Sequence, residues 1–221
     1  MLTEKKRELF LGYGAIIYAM YLFFILLNSY FGFSSERWRF FYYFTQQSNI
    51  LSMIWFFLFG ISAFCGKPLY HVVRNKTLMT AITVYMSITF FIVLFVLTPV
   101  TEGKWEPFAD AGEFILHNGT TIMMWLYFFL VRGTGHSKVR ACLYVLIYPM
   151  IYVVVNLIVG ATTTYQNGKA AYAYAFISPD SYGSIGVYIG VIAGLILIFA
   201  LFGLALIKLK VCVNRRYFDE K

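Results

Sequence analysis

The stretch SIGVYIGVIAGLILIFALFGLALI, residues 184–207, holds 24 residues without a single charged side chain. An α-helix rises by about 1.5 Å per residue, so about 20 apolar residues suffice to cross a hydrocarbon layer of ~30 Å. This stretch is therefore long enough to span a membrane.

Five further stretches upstream have the same apolar character. Their length is 19 to 27 residues, and they cover residues 9–30, 38–64, 78–100, 113–131 and 141–160. Over the whole chain 60% of residues are hydrophobic and 13% are charged, whereas soluble domains have about 25% charged residues. The sequence therefore predicts an all-α polytopic membrane protein, with six transmembrane helices forming a single domain over residues 1–221.

The orientation follows from lysine and arginine, which concentrate in cytoplasmic segments. With the N-terminus inside, the inner segments hold fourteen of these residues and the outer segments hold four, Arg37, Arg39, Lys104 and Lys169. Both termini are therefore predicted to be cytoplasmic. The net charge of +8 is spread between the apolar stretches rather than gathered in a patch, so no nucleic-acid partner is predicted.

Glycines recur at every fourth residue in the sixth stretch, as Gly186, Gly190 and Gly194. Small residues at this spacing let a second helix approach closely in a membrane. We expect the stripe to serve helix packing.

Residues 161–183 form the longest of the predicted outer connections between transmembrane helices. This connection carries Tyr165, Tyr172, Tyr174 and Tyr182, and tyrosines are enriched where membrane meets water. The segment is predicted to lie in the interface, where it can act as a lid.

Polar residues in the second stretch fall on one helical face. Thr45, Ser48, Asn49 and Ser52 stand at positions i, i+3, i+4 and i+7, and such a stripe has no partner in lipid, so it must face the bundle interior. Taken alone, the stripe is best explained as hydrogen-bonding contacts between helices, each worth about 0.6 kcal/mol.

The fourth stretch carries a second stripe on one helical face, which consists of Glu113, His117, Thr120, Thr121 and Met124. Histidine moves its proton most easily near neutral pH, and Glu113 lies one turn before it, where a carboxylate can fix the imidazole tautomer. An ionisable pair inside a span is by default a functional hypothesis.

The two faces lie at similar depth, because Thr45 is the eighth residue of its stretch and His117 the fifth of its own. In the fifth stretch Tyr148, Tyr152 and Asn156 follow at four-residue spacing. Polar groups from three helices are thus predicted to converge in the outer half of the bundle.

Four segments resemble blocks of a family of bacterial six-helix membrane proteins: RFFYYFTQQSNIL (39–51), EFILHNGTTIMMW (113–125), YPMIYVVVNLIVG (148–160) and YAYAFISPDSYG (172–183). More distantly they are similar to the androgen-induced and androgen-dependent TFPI-regulating proteins of animals. The resemblance covers the chain from the second to the sixth stretch.

The animal proteins are intramembrane threonine hydrolases that cleave fatty acid esters of hydroxy fatty acids. The resemblance implies Thr45 as nucleophile and His117 as its histidine partner. It also implies a bacterial plasma membrane location, and the lysine and arginine distribution predicts that the site faces outward. Gln46, Gln47 and Ser48 after the threonine, and Asn118 and Gly119 after the histidine, depart from the family pattern and leave the substrate open.

These observations give one catalytic hypothesis. Thr45 attacks an ester, His117 serves as general base, and Glu113 orients the imidazole. The amide of Asn49 or Asn156 can donate to the developing oxyanion, a contribution of roughly 10²- to 10³-fold. The substrate-binding candidates share a polar side chain in the same layer: Gln46, Ser48, Asn49 and Asn156.

Other classes of function stay open. A small-molecule or lipid transporter, or a binding protein without catalysis, is the main alternative; transport requires polar groups through the full membrane thickness. A purely structural role comes third.

A metal site is disfavoured because the spans hold one histidine and no nearby cysteine, and no motif predicts a cofactor. The expected partners are membrane lipids and a lipid or fatty acyl ester substrate, and the oligomeric state is left open.

Overall fold

The computed structural model describes residues 4–33, 37–65, 67–98, 110–134 and 141–218. The α-helices in these ranges are α1 (Glu4–Gly32), α2 (Trp38–Tyr42), α3 (Phe44–Cys65), α4 (Lys67–Val73), α5 (Lys76–Ile92), α6 (Ala111–Phe114), α7 (Thr120–Leu130), α8 (Ala141–Thr162) and α9 (Ile185–Tyr217). A π-helical turn over Val93–Leu97 extends α5, and a second one over Ile115–Gly119 joins α6 to α7. No strand occurs in these ranges; two isolated β-bridges join loops.

Within the described ranges, five helices are long and apolar enough to cross a membrane: Glu4–Gly32, Phe44–Cys65, Lys76–Leu97, Leu143–Thr162 and Ile185–Tyr217. The fold is thus all-helical and compatible with an integral membrane protein. The predicted fourth stretch is helical too, but it consists of α6, the π turn and α7 in direct succession. Residues 99 and 100 of the predicted third stretch lie outside the described residues. Four of the basic residues used to predict the orientation also lie outside them: Lys104, Lys138, Arg140 and Lys221.

The predicted second helix is interrupted, which the sequence did not indicate. Tyr43 adopts an extended conformation between α2 and α3, with φ −76° and ψ 134°. The backbone N–H groups at the start of α3 are satisfied by tyrosines from distant segments: Phe44 N donates to Tyr152 Oη at 3.2 Å and Thr45 N to Tyr174 Oη at 3.4 Å. Because the first N–H groups of a helix lack intrahelical acceptors, these hydroxyls stabilise the break.

We call the end of the bundle that holds α2 and residues 163–184 the outer end, and the opposite end the inner end. Among the described residues, the inner end buries the basic side chains of Arg74, Lys76 and Lys210. Arg74 pairs with Glu8 and donates to Ser62 Oγ at 2.7 Å. Lys210 of α9 donates to the carbonyls of Phe128 and of Val131, at the C-terminal end of α7. A cation at a helix C-terminus is favourable because the last carbonyls carry partial negative charge.

Glycines bring helices α1 and α3 into close approach, which the sequence predicted for the glycine stripe of α9 instead. A Cβ added at Gly60 would stand 2.8 Å from the carbonyl oxygen of Gly12, and a Cβ at Gly12 would stand 2.6 Å from Ala63 Cβ. At Gly190 and Gly194 an added Cβ meets nothing within 4 Å among the described residues. Among the described residues, no second helix therefore packs closely against Gly190 and Gly194 as the stripe predicted.

This difference gives a matched pair of variants. Gly60→Leu forces α1 and α3 apart and is expected to lower the free energy of unfolding by about 1–3 kcal/mol, the usual cost of overpacking. Gly190→Leu enters open space and is expected to leave stability unchanged or slightly raised, because leucine favours helix over glycine by up to ~1 kcal/mol. Thermal unfolding of both variants in detergent checks this, and equal melting temperatures would contradict it.

Candidate functional site at the outer end of the bundle

The polar face of α3 is buried, as the spacing predicted. Thr45, Ser48, Asn49 and Ser52 all lie inside the bundle. Ser48 contacts a neighbouring helix, since its Oγ lies 3.0 Å from Thr89 Oγ1 of α5. Ser52 Oγ donates instead to the Ser48 carbonyl of its own helix at 2.9 Å. Bonding between helices therefore accounts for Ser48 and not for Ser52.

Gln46 turns toward the first helix. Its Nε2 donates to Ser29 Oγ of α1 at 3.1 Å. Its neighbour Gln47 accepts a hydrogen bond from Tyr148 Oη at 2.5 Å. The structure thus brings Gln46 into contact with α1, and not with the polar groups that meet Thr45.

The two amides predicted as oxyanion donors direct their N–H groups to backbone carbonyls. Asn156 Nδ2 donates to Tyr152 O at 3.2 Å, and its Oδ1 accepts from Ala173 N at 3.1 Å. This second contact attaches the segment 163–184 to α8. Asn156 is thus placed to anchor the outer segment.

Asn49 bridges two helices. Its Nδ2 lies 2.8 Å from the carbonyl oxygen of Thr45 and 2.8 Å from that of Leu116. One amide therefore fixes the backbone of Thr45 relative to the residue that precedes His117. The predicted convergence of α3 with the fourth stretch is present at this point.

The Glu113 and His117 side chains pair as the spacing predicted. His117 Nε2 lies 3.0 Å from Glu113 Oε2, with 12% of the imidazole and 45% of the carboxylate side chain exposed. The other ring nitrogen, Nδ1, is buried. A carboxylate thus holds one edge of the imidazole while the opposite edge is enclosed by protein.

His117 lies within the π-helical turn Ile115–Gly119. The N–H of Thr120 reaches back five residues to Ile115 O, and Thr120 Oγ1 donates to the same carbonyl at 3.0 Å. Tyr18 of α1 in turn donates to Thr120 Oγ1 at 3.0 Å. Single π turns inside α-helices occur frequently at functional sites, and this one sets the direction of the imidazole.

The Thr45 hydroxyl lies next to Tyr174, a residue of the connection 161–183 that was predicted to lie at the membrane interface. Tyr174 Oη lies 3.4 Å from Thr45 Oγ1 and 3.4 Å from Thr45 N. Burial raises the pKa of Tyr174 to about 12, so its phenol stays protonated and able to donate. The pairing joins residues 129 positions apart; the only sequence signal was that Tyr174 lies in one of the four segments of the resemblance.

An apolar cavity begins at Thr45 and extends away from the outer end. Residues of α5, its π extension, α8, α9 and the segment 163–184 line it, and it holds about 790 Å³ of empty space, its open side included. Hydroxyl groups in its wall come from Thr45, Thr89, Tyr152 and Tyr174. The remaining lining side chains are aliphatic, aromatic, methionine or proline.

In the part of the chain that the structure describes, no cluster of three or more His, Cys, Asp or Glu side chains is arranged to hold a metal ion. The arrangement therefore defines a helical protein, compatible with a membrane, that carries a hydroxyl, an imidazole–carboxylate pair and an apolar cavity near one end. Comparison with protein-family models, with curated proteins and with solved structures gave no match.

Proposed function

We propose that this protein is an intramembrane hydrolase of fatty acyl esters, with Thr45 as nucleophile and His117 as general base. The observation that carries the proposal is the link made by Asn49, which bonds at 2.8 Å both to the Thr45 backbone and to the turn that presents His117 with Glu113. A nucleophile, a base and a group that orients the base are the three parts of this chemistry.

The proposed topology has six spans with both termini cytoplasmic. It is supported by the uninterrupted succession of α6, the π turn and α7, which runs from Ala111 to Leu130, and by the distribution of lysine and arginine. The site then faces outward across the plasma membrane of a bacterium. That location, and the kinship with bacterial six-helix proteins and their threonine hydrolase relatives, rest on the four resembling segments.

The proposed reaction proceeds in two steps. Thr45 Oγ1 forms a bond to the carbonyl carbon while its proton passes to His117, and the bond to the leaving alcohol breaks as His117 returns the proton to that oxygen. Water then attacks the acyl-threonine with the same proton transfers in reverse order and releases the fatty acid. Thr45 and His117 must approach each other when substrate binds, since catalytic hydrogen bonds often tighten only in the complex.

A covalent probe tests this proposal. The purified protein in detergent is expected to react with a fluorophosphonate, and mass spectrometry of the digested adduct is expected to find the probe on Thr45. Thr45→Ala should lose the label. Thr162→Ala, which removes an exposed hydroxyl bonded to its own helix at Ile158 O, should keep it. An unlabelled wild type, or a label on another residue, would remove the support for catalysis at Thr45.

Binding of a lipid or small molecule without catalysis is the second candidate, and the apolar cavity beside Thr45 favours it. A transport path is less well supported. The helix α5 hydroxyls of Thr80, Thr83 and Ser87 donate to carbonyls of their own helix, each at 2.7 Å, as hydroxyls in membrane helices commonly do. They are therefore engaged in the helix rather than directed along a path for a solute.

A further inference from the structure

We propose that the cavity beside Thr45 binds a single unbranched acyl chain, with its ester or carboxyl group at the outer end beside Thr45 and Tyr174. The inference deepens the proposed function and rests on it for the chemistry at Thr45. Binding of the chain itself does not require catalysis, so the two can be tested apart.

The walls of the cavity match a hydrocarbon chain. Ile92 comes from helix α5, Leu146 and Val153 from α8, and Ile196 and Phe199 from α9. None of the residues that line the cavity is charged, so a hydrocarbon chain packs against them without leaving a polar group unsatisfied. An ionic or sugar ligand would lose its hydration against these walls without gaining partners.

The cavity is elongated along α9. Ile192 and Phe199 of this helix both line it, and seven residues at 1.5 Å each correspond to about 10 Å of depth. Met150 of α8 lines the cavity and is 39% exposed, so the cavity wall reaches the surface of the bundle at this residue. An acyl chain can enter from the lipid phase at this point.

The polar end is fixed by Tyr174. Its ring stacks on Phe176 with centroids 5.3 Å apart and meets the edge of Tyr43 at 5.5 Å, and Asn156 holds the adjacent residue, Ala173. The hydroxyl is therefore held next to Thr45, where it can donate to a carbonyl oxygen. Tyr174 is therefore a substrate-positioning residue, and the segment 163–184 places it next to Thr45.

Photocrosslinking tests the inference. A fatty acid with a diazirine near its methyl end is added to the purified protein in detergent, and the labelled peptides are mapped. Wild type is expected to be labelled on cavity residues of α8 and α9. Val153→Trp and Ile196→Trp fill the cavity and are expected to lower labelling about tenfold, which corresponds to ~1.4 kcal/mol of binding.

Two control variants place tryptophan on the same helices but on their exposed sides. Ile151 and Leu197 are 56% and 59% exposed, so Ile151→Trp and Leu197→Trp are expected to label like wild type. The inference would be overturned if the wild-type protein were labelled only at exposed positions of this kind. That outcome does not depend on whether any variant folds. Equal labelling of the folded cavity variants and their controls would also overturn the inference.

A Tyr174→Phe variant tests the polar end. It keeps the ring and removes the hydroxyl, so labelling by the fatty acid is expected to fall while labelling by a diazirine alkane of equal length stays unchanged. Equal loss with both probes, or no loss with either, would overturn the role assigned to Tyr174.

The results also separate the two proposals. Cavity labelling without fluorophosphonate reactivity would retain the acyl-chain site and remove the hydrolase. Reactivity at Thr45 with the acyl probe bound elsewhere would retain the hydrolase and remove this site.

Discussion

Thr45→Ala is expected to lower the rate of long-chain ester hydrolysis by about 10⁴- to 10⁶-fold, and His117→Ala by a similar factor. A threonine hydroxyl is a weak nucleophile unless a base takes its proton, so loss of either partner removes the same step. The double variant is therefore expected to be no slower than the single variants. Release of fatty acid from a panel of long-chain esters, measured by mass spectrometry, gives the three rates.

The controls for this comparison keep the fold and part of the chemistry. Thr45→Ser retains a hydroxyl at the same atom and should retain measurable activity. Glu113→Gln keeps a polar side chain that can still bond to His117, so its loss should be smaller than that of His117→Ala. If the losses of the two single variants multiplied in the double variant, Thr45 and His117 would act independently and a shared proton transfer would be excluded.

The parts of the site that the sequence predicted are those governed by local geometry. Glu113 and His117 are four residues apart, and residues at this spacing face each other on any helical turn; they lie 3.0 Å apart in the structure. The buried face of α3 followed from the same periodicity. The apolar helices followed from hydropathy, which depends only on composition along the chain.

The parts that the sequence did not predict depend on contacts between distant segments. The break at Tyr43 is stabilised by hydroxyls of Tyr152 and Tyr174, and no local signal such as proline marks it. Helix α9 continues to Tyr217, ten residues past the predicted end at residue 207, because the lysines and arginines there end the apolar run but favour helix.

The roles of the polar candidates were open for the same reason. Asn49 and Asn156 were equivalent in the sequence as possible oxyanion donors. In the structure Asn49 bridges two helices, and Asn156 anchors the segment 163–184. Their amide donors are engaged with backbone carbonyls. Tyr174, with a hydroxyl beside Thr45, is therefore the better candidate to receive a substrate carbonyl.

Arg74→Leu is expected to lower the free energy of unfolding by about 3–5 kcal/mol, the cost of breaking a buried ion pair from one side. Arg74 is fully buried, and its guanidinium pairs with Glu8 and lies 4.3 Å from the ring centroid of Phe59 and 3.9 Å from that of Tyr70. The variant loses these contacts together and leaves the Glu8 carboxylate without its counterion. Thermal and denaturant unfolding in detergent measures the loss.

A comparison with an exposed arginine shows whether the loss of stability in Arg74→Leu comes from the burial of Arg74 or from its charge alone. Arg216→Leu also removes one positive charge from the inner end, but Arg216 is exposed, so its effect is expected to stay within about 0.5 kcal/mol. Arg74→Lys keeps the charge but lacks the planar guanidinium that stacks on both rings, and should fall between the two. The double variant Glu8→Leu with Arg74→Leu should recover part of the loss, because an apolar pair of similar volume often replaces a buried ion pair at little cost. If the double variant were less stable than Arg74→Leu alone, Arg74 would stabilise the bundle mainly through Ser62 and the aromatic rings, and the pair with Glu8 would contribute little.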